Sequence, residues 1–307
     1  MSKLNNIKGK EAKLTFSSAL HSFVSRLTEH VSAEDGGWTI KGFIDIYRNI
    51  YTISSDTKIV SKILEIHLFP QILQFADENK YSIVLAESQN WYPDLSFVSQ
   101  EDSSIKFALD IKTTYRDPSF PGHVNGFTLG SHGTYFKDRT STKNIQFPYR
   151  EYLGHFCLGI IYTRADSKDL DETEIIHVKE LDNADKPQKI GPRKVTKVES
   201  LRSITSVIKD FQFFVCEKWQ LASDRQGSHN TANIGSITFI ENILKGNGVF
   251  AKLGEDWFDE YWMNYGLTTM KKKGTVITIK RIEDFIDFKG SKKLKNLIVP
   301  MVTKKKS

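Results

Sequence analysis

Apolar residues recur with a helical period in two stretches near the N-terminus of this 307-residue chain. The first stretch covers 14–27, and its apolar stripe consists of Phe16, Leu20, Phe23, Val24 and Leu27. This spacing predicts an amphipathic helix. A second helix is predicted over 58–79, with an N-terminal cap formed by Ser54, Ser55 and Asp56. Pro70 lies inside this second stretch and predicts that the helix is kinked or divided there.

Alternation with a period of two, and short apolar runs between polar turns, predict strands elsewhere in the chain. Residues 95–99 and 105–112 form the clearest pair, because the polar turn 100–104 between them predicts an antiparallel hairpin. A looser pattern over 38–51 predicts a short strand or hairpin. The long apolar run 152–162 fits a buried helix or a central strand.

Two polar segments interrupt the later part of the chain. Residues 166–210 are charged and contain proline and glycine, so they predict an exposed insertion. Residues 227–233 form a loop of small polar residues between the β-rich stretches 211–221 and 234–240. Such a loop suits close approach to a partner, and an asparagine can bond an adenine edge through two atoms. An ordinary hairpin turn is the alternative.

The 95–112 hairpin carries the most distinctive chemistry of the chain. Asp94 stands just before its first strand, and Asp110 and Lys112 stand near the end of its second strand. Because side chains two apart share one face of a strand, Asp110 and Lys112 point the same way, whereas Ile111 points into the core. The hairpin is therefore expected to bring Asp94 alongside Asp110.

Two aspartates and a lysine at this spacing are the groups needed to hydrolyse a phosphodiester with Mg²⁺. A hard divalent cation prefers oxygen ligands and keeps several waters, so two carboxylates can hold it beside a phosphate. The ion would polarise the phosphate and acidify a bound water, and Lys112 would stabilise the developing charge. The alternative is a solvated aspartate–lysine pair at the end of a strand.

Length and composition limit the other classes of function. With 39% hydrophobic residues, the chain can form a packed core as one large domain or two small ones. Its apolar runs are too short to cross a bilayer and its N-terminus lacks a signal-peptide core, so we expect a soluble, cytoplasmic protein with no membrane partner. Cys157 and Cys216 are isolated in apolar surroundings, which argues against structural zinc and against a disulfide. The sequence has no phosphate-binding glycine motif, so no nucleotide cofactor is expected.

The positive charge of the chain is concentrated at its C-terminal end. Residues 271–307 contain twelve Lys and Arg and three acidic residues, a balance of +9, so a net charge of +6 leaves −3 on the remainder. A basic segment on a near-neutral body suggests a polyanionic partner such as a phosphate backbone. A solvated tail is the alternative for Lys304, Lys305 and Lys306. The more informative basic residues flank the helix-like stretch 282–288 and are Lys280, Arg281, Lys289, Lys292, Lys293 and Lys295.

Several segments together resemble the EcoRV-type restriction endonucleases of the PD-(D/E)xK superfamily. The similarity lies in short blocks, in the same order, across most of residues 50–265. They are SDTK at 55–58, QNWYPD at 89–94, DIKTTY at 110–115, TLG at 128–130, TKNI at 142–145, YTR at 162–164, NT at 230–231, NIGS at 233–236, YW at 261–262 and NY at 264–265. A run of collinear blocks is far more specific than the acidic motif alone.

This resemblance implies a homodimeric, Mg²⁺-dependent enzyme that binds double-stranded DNA and cuts both strands within a short palindrome. By similarity, Asp94 and Asp110 bind the metal and Lys112 assists the attacking water. Glu65, which its helical pattern alone would place on a solvent-facing side, is implied to be an additional metal-binding and catalytic acid. The implied fold is α/β, a mixed sheet flanked by helices with an N-terminal dimerisation region.

The resemblance also implies which residues contact DNA. Gln89 and Asn90 would lie on a loop that reaches the minor groove. The loop that reads the major groove would be formed by Gly227, Ser228, His229, Asn230, Thr231 and Asn233. Residues near phosphates would be Thr57, Lys58, Thr142 and Lys143.

One departure from the family affects the expected recognition site. His229 stands where the reading loop of the family carries a glycine, and Ala232 replaces a threonine. A glycine permits main-chain contact with a base edge, whereas an imidazole adds bulk and a new donor or acceptor. The family's preferred site, GATATC, is therefore a candidate site here. The outer base pairs are the positions at which this protein could recognise different bases.

The resulting interpretation is a single endonuclease domain over 1–307. A dimerisation region with a helix covers about 12–90. The catalytic and DNA-reading core covers 91–265 and includes the insertion 166–210, and 266–307 is a basic C-terminal segment. Two alternatives remain: a metal-dependent nuclease that recognises DNA by shape, such as a junction-resolving or repair enzyme, and a non-catalytic DNA-binding protein.

Overall fold

The chain forms two compact units, each assembled from separate segments. The computed structural model describes residues 3–88, 90–166, 168, 170–171, 174–178, 194–227, 232–272 and 274–304. The first unit contains Met1–Ser25, Gln71–Ile160 and Phe213–Ser307, and the second contains Arg26–Pro70 and Ile161–Gln212. No helix among the described residues is both long and apolar enough to span a bilayer.

Helices and strands alternate along the chain, as expected for a mixed α/β fold. The helices are α1 (Lys3–Val24), α2 (Leu27–Val31), α3 (Thr57–Glu78), α4 (Thr134–Lys137), α5 (Lys218–Leu221), α6 (Ile240–Leu244), α7 (Glu255–Asn264) and α8 (Ile282–Phe288). The strands are β1 (Gly42–Ile44), β2 (Asn49–Thr52), β3 (Tyr81–Leu85), β4 (Leu95–Ser99), β5 (Lys106–Tyr115), β6 (Thr128–Ser131), β7 (Tyr152–Arg164), β8 (Ile175–Val178), β9 (Lys194–Thr196), β10 (Ile208–Glu217), β11 (Ala222–Gln226), β12 (Asn233–Ser236), β13 (Thr269–Lys272) and β14 (Thr275–Thr278).

The largest sheet has the strand order β10-β7-β5-β4-β3. Strands β3, β4 and β5 are consecutive and antiparallel, with Leu85 opposite Leu95 and Leu95 opposite Leu109. The predicted hairpin of β4 and β5 is therefore confirmed. The apolar run over 152–162 is the central strand β7 rather than a helix, and nearly all of its positions are buried. A strand buried on both faces has a continuous apolar sequence, which explains why periodicity alone left the choice open.

Helix α1 packs on this sheet through an aromatic cluster. Phe16 is 1% exposed and stacks on Phe107 of β5, with ring centroids 4.1 Å apart. The same ring also contacts Phe97 of β4 and Phe156 of β7. Each buried phenylalanine stabilises the fold by roughly 1.5–3 kcal/mol. Phe16, Leu20, Phe23 and Val24 of the predicted stripe are buried on α1, which confirms that part of it. Leu27 is also buried, but it lies on α2, because α1 ends at Val24.

Helix α3 begins as predicted but is not divided at its proline. Asp56 accepts a hydrogen bond from the Lys58 backbone N–H at 2.8 Å, so the predicted N-terminal cap is confirmed. The helix runs unbroken from Thr57 to Glu78 with Pro70 inside it, so the expected division is wrong. Residues on both sides of the proline, including Leu68 and Ile72, are buried, and their packing stabilises the continuous helix. This packing outweighs the cost of a proline in a helix interior, about 3 kcal/mol.

The second unit contains a four-stranded sheet with the order β1-β2-β8-β9. The predicted hairpin within 38–51 is present as β1 and β2, with Phe43 opposite Tyr51. Strand β8 lies in the stretch 166–210, and its residues Ile176 and Val178 are buried. The polar composition predicted that the whole stretch 166–210 is exposed, and this prediction is wrong for β8. Three apolar residues and a histidine suffice for this strand, and a pattern averaged over their charged neighbours conceals them.

The basic C-terminal segment is attached to the first unit by specific contacts. Helix α8 occupies the predicted stretch 282–288. Asp224 is buried, accepts the Ile282 backbone N–H at 3.2 Å and pairs with Arg281 at 3.2 Å. Further pairs are Lys272 with Asp284, Lys289 with Glu260, Lys295 with Asp287 and Lys304 with Asp117. Five of the twelve basic residues in 271–307 therefore have an acidic partner among the described residues, and binding of a polyanion by this segment stays a prediction.

Candidate active site

The register of β4 and β5 brings the two predicted aspartates together. Leu95 lies opposite Leu109, so Asp94 and Asp110, the next residues outward, meet at the end of the pair. The Asp94 backbone N–H donates to Asp110 Oδ1 at 3.3 Å, and the Ile111 N–H donates to Asp94 Oδ2 at 2.7 Å. The expected convergence is therefore confirmed, and main-chain groups hold both carboxylates in place.

Lys112 completes this group on the same face of β5. Its Nζ lies 3.1 Å from Asp110 Oδ2. Burial lowers the pKa of the Lys112 ammonium, but the negative charges of Asp110 and Asp94 outweigh burial and hold that pKa above its usual value. Asp110 is only 3% exposed, so the alternative of a solvated pair is wrong for this carboxylate. Lys112 therefore stays positively charged beside two acids.

The turn that precedes Asp94 is held by the segment around Gln146. The Tyr92 N–H donates to the Asn144 carbonyl at 3.0 Å, and the Gln146 N–H donates to the Tyr92 carbonyl at 2.9 Å. The Gln146 side chain donates to the Pro93 carbonyl at 2.8 Å. Sequence reasoning missed Gln146, although it directly follows the family-like block at 142–145. Gln146 contacts Pro93, which is 53 residues away in the sequence, and the local sequence pattern does not predict such a contact.

Beneath the carboxylates lies an aromatic cluster. Tyr92 stacks with Tyr135 at 5.3 Å between ring centroids, and Tyr149 stacks with His155 at 3.7 Å. The Tyr92 hydroxyl is 2.8 Å from His155 Nδ1. Burial lowers the pKa of His155, with nearby positive charges adding to the effect, so this ring is neutral near pH 7. These rings are buried, and they pack around Tyr92 at the turn that leads to Asp94.

A lysine from another part of the chain enters this cluster. Lys218, the first residue of α5, is 1% exposed, and its Nζ lies 4.8 Å from the centre of the Tyr92 ring. Burial lowers the pKa of Lys218 to about 8, although the charge of Asp110 opposes this shift. Sequence reasoning missed Lys218. The available signal was a lysine within the largely apolar stretch 211–221, and it is weak because the stretch also contains Gln212, Glu217 and Gln220 and because lysines are rarely buried completely.

The remaining predicted residues lie in several places. Glu65 belongs to the second unit, on α3, where its carboxylate pairs with Lys62 at 2.7 Å. Its proposed part in metal binding stays a prediction. The side chains predicted near phosphates or the minor groove are exposed, and they are Thr57, Lys58, Asn90, Thr142 and Lys143.

The predicted reading loop is described only at its ends. Gly227 donates its backbone N–H to the Asn233 carbonyl at 3.0 Å, which closes the hairpin of β11 and β12. The predicted residues Gln89, Ser228, His229, Asn230 and Thr231 lie outside the described residues. The described residues therefore confirm that this segment connects two paired strands, β11 and β12.

The donor set at Asp94 and Asp110 fits a hard divalent cation. Two carboxylates supply oxygen ligands only, and Mg²⁺ is commonly held by one or two carboxylates with water and phosphate oxygens. Within the ranges that the structure describes, no group of three or more His, Cys, Asp or Glu side chains is placed to hold a metal ion. Both cysteines are buried free thiols, and burial raises the pKa of Cys216 to about 12. A thiolate metal site is therefore not favoured.

A mixed α/β fold with two aspartates and a lysine at the end of its central hairpin has the architecture of the restriction-endonuclease class. A family model described as restriction endonuclease EcoRV matches residues 34–190 and 184–290. Type II restriction enzyme EcoRV from Escherichia coli is 30% identical over 272 residues, which cover 88% of this chain and 100% of that enzyme. The chain belongs to the EcoRV family of restriction endonucleases.

Proposed function

We propose that this protein is a homodimeric type II restriction endonuclease that uses Mg²⁺ to hydrolyse both strands of double-stranded DNA within a short palindrome. The observation that carries the proposal is the convergence of Asp94, Asp110 and Lys112 at the end of β4 and β5. Membership of the EcoRV family supports the same reaction. We expect the enzyme to act in the cytoplasm, where its DNA substrate is found.

Each residue of the group has a distinct role in this proposal. Asp94 and Asp110 hold the cation through carboxylate oxygens, oriented by the backbone N–H groups that they accept. When bound, the cation supplies Lewis-acid stabilisation of the phosphate and an acidified water. Lys112 keeps its proton, so it stabilises negative charge on the phosphate and orients the attacking water. Glu65 remains a proposed further acid.

The proposed homodimer is supported by the number of catalytic sites that the reaction needs. One chain carries one such group, and symmetric cutting of two antiparallel strands requires two groups related by a two-fold axis. A palindromic site has the same symmetry. GATATC is the candidate sequence, because it is the site expected for this family, with His229 and Ala232 as the positions where the reading could differ.

One digestion experiment tests the function and separates it from its alternatives. The protein is incubated with a bacteriophage genome of known sequence in Mg²⁺, and the fragment ends are sequenced. We expect discrete fragments whose ends all lie in one palindrome, and no cutting with a chelator. Cleavage confined to branched DNA would indicate a junction-resolving or repair enzyme. Binding without cleavage in Mg²⁺ or Mn²⁺ would indicate a non-catalytic DNA-binding protein.

Base reading and phosphate binding are expected to respond differently to substitution. Asn230→Ala should cost about 1–3 kcal/mol of discrimination at particular base pairs, because a side chain that reads a base edge is lost. Lys143→Ala should weaken binding to all sequences alike and reduce the salt dependence by roughly one phosphate contact. Binding is measured without metal on a panel of single-base variants. An unchanged preference profile for Asn230→Ala would remove this residue from recognition.

A further inference from the structure

Lys218 is a buried lysine with no carboxylate in direct contact among the described residues. Only 1% of its surface is exposed. Its Nζ has no hydrogen-bond acceptor in the part of the chain that the structure describes. Lysines are almost never fully buried unless they are paired, because removing an ammonium from water is costly. A position that keeps such a charge is therefore a candidate for a role beyond folding.

Aromatic faces surround the ammonium where hydrogen-bond acceptors would be expected. Nζ lies 4.8 Å from the ring centre of Tyr92, 5.3 Å from that of Phe136 and 5.6 Å from that of Tyr149. A Cβ added at Gly130 would lie 3.4 Å from Nζ, so the absent side chain leaves room for the ammonium. The negative faces of the rings offset part of the lost hydration. They leave the positive charge without a neutralising contact.

The charge of Lys218 acts on Asp110 of the candidate active site. Tyr92, whose ring it covers, is separated from Asp94 only by Pro93. Asp110 is the charged residue that most strongly opposes the lowering of the Lys218 pKa by burial. Asp259 also acts on the ammonium, but its carboxylate is paired with Arg139 at 2.8 Å.

Lys112 and Lys218 offset the aspartates in two different ways. Asp94 and Asp110 together carry two negative charges, and the two lysines carry two positive charges. Lys112 contacts Asp110 Oδ2 directly. Lys218 adds its charge from the buried side and occupies no carboxylate oxygen, because its Nζ makes no hydrogen bond to a described residue. It can therefore tune the site without competing with a ligand.

We propose that Lys218 is a positioning residue for DNA cleavage: through Asp110, it supplies a buried positive charge that limits how tightly the aspartates hold a divalent cation. The proposal rests on the proposed function, since this balance matters only if Asp94 and Asp110 hold the cation during cleavage. Without Lys218 the site is more negative. It then attracts the cation more strongly and stabilises the additional negative charge of the transition state less well.

The test replaces Lys218 by a neutral side chain of similar length, in Lys218→Met. Mn²⁺ is titrated without DNA, and the free ion is followed by electron paramagnetic resonance. We expect the Mn²⁺ dissociation constant to fall about fivefold or more, since a nearby positive charge is gone. We expect kcat for plasmid cleavage in Mg²⁺ to fall about tenfold or more with KM for DNA unchanged. Tm should stay the same or rise, because a buried charge is replaced by an apolar group.

Lys106 provides a matched control on the strand that carries Asp110. Its ammonium lies 5.1 Å from the ring centre of Phe147 and pairs with Glu151 at 3.1 Å. Lys106→Met removes a positive charge and a cation–π contact, and it should leave the Mn²⁺ dissociation constant within about twofold. Lys218→Arg keeps the positive charge, so its Mn²⁺ dissociation constant should be closer to that of the parent than to that of Lys218→Met.

Metal binding decides between an electrostatic and a merely structural role. A Mn²⁺ dissociation constant that is unchanged or higher in Lys218→Met overturns the proposal, even if cleavage falls. Should this variant not fold, Lys218→Gln removes the same charge and carries the same expectations. If the parent protein cuts no DNA, the proposed function fails, and the Mn²⁺ titration then decides only whether Lys218 sets the metal affinity of the two aspartates. If the parent cuts and the Mn²⁺ affinity does not change, only the role of Lys218 is refuted.

Discussion

Asp110→Asn is expected to reduce the rate of Mg²⁺-dependent DNA cleavage by at least about a thousandfold while the protein still binds DNA. The substituted amide has the same shape, and its oxygen can still accept the Asp94 backbone N–H. It no longer supplies a negatively charged oxygen for a cation. Lys112 also loses its ionic partner at 3.1 Å. Cleavage is measured on a supercoiled plasmid, and binding is measured by gel shift without metal.

Asp102→Asn is the matched control for this substitution. Asp102 lies in the turn between β4 and β5, and its carboxylate pairs with Lys8 at 2.7 Å near the surface. Removing this charge should leave cleavage within about twofold, because exposed ion pairs contribute little. Cleavage by Asp110→Asn within about tenfold of the parent would refute the assignment of this carboxylate as a metal ligand.

Gly159→Ala is expected to lower the free energy of unfolding by about 3 kcal/mol or more. Gly159 lies in the middle of β7, and the ring of Phe214 on the neighbouring strand β10 covers it. A Cβ at this position would lie 1.9 Å from Phe214 Cζ and 2.1 Å from Cε1. Either the ring or the strand must move, and nearly all positions of that strand are buried. Urea unfolding measures the effect.

A compensating substitution makes this prediction specific. Phe214→Leu alone should cost about 1–2 kcal/mol through lost burial. In the Gly159→Ala background it should instead restore part of the stability, because the clash is removed. Gly9→Ala is the control, since Gly9 lies in helix α1 and its Cβ would lie 3.4 Å from Leu153 Cδ2. A loss below about 1 kcal/mol in Gly159→Ala would show that the ring moves freely.

Short-range features of the fold could be predicted because neighbouring residues specify them. The turn between β4 and β5 determines which residues face each other, and the alternation of β5 places Asp110 and Lys112 on one face. The helical stripe of α1 and the cap at Asp56 depend on spacings of three or four residues. These features needed no knowledge of distant segments.

Features that depend on long-range packing were missed. Strand β8 is identified by its pairing with β2, with Ile50 opposite Ile176, rather than by its polar surroundings. The charges of the C-terminal segment are offset by partners such as Asp224 and Glu260, far away in the sequence. Pro70 is tolerated because packing on both sides of it stabilises the continuous helix. Local propensity is a weak prior where tertiary contacts compete with it.

The sequence by itself determined the hairpin, its two carboxylates and its lysine, because strand alternation and a short turn place Asp94, Asp110 and Lys112 together. Only the tertiary structure placed Gln146 against the turn at Pro93 and the buried ammonium of Lys218 on the ring of Tyr92. The physical reason is that burial and charge compensation depend on which distant segments fold against one another. The residues next to a position in the sequence do not specify that arrangement.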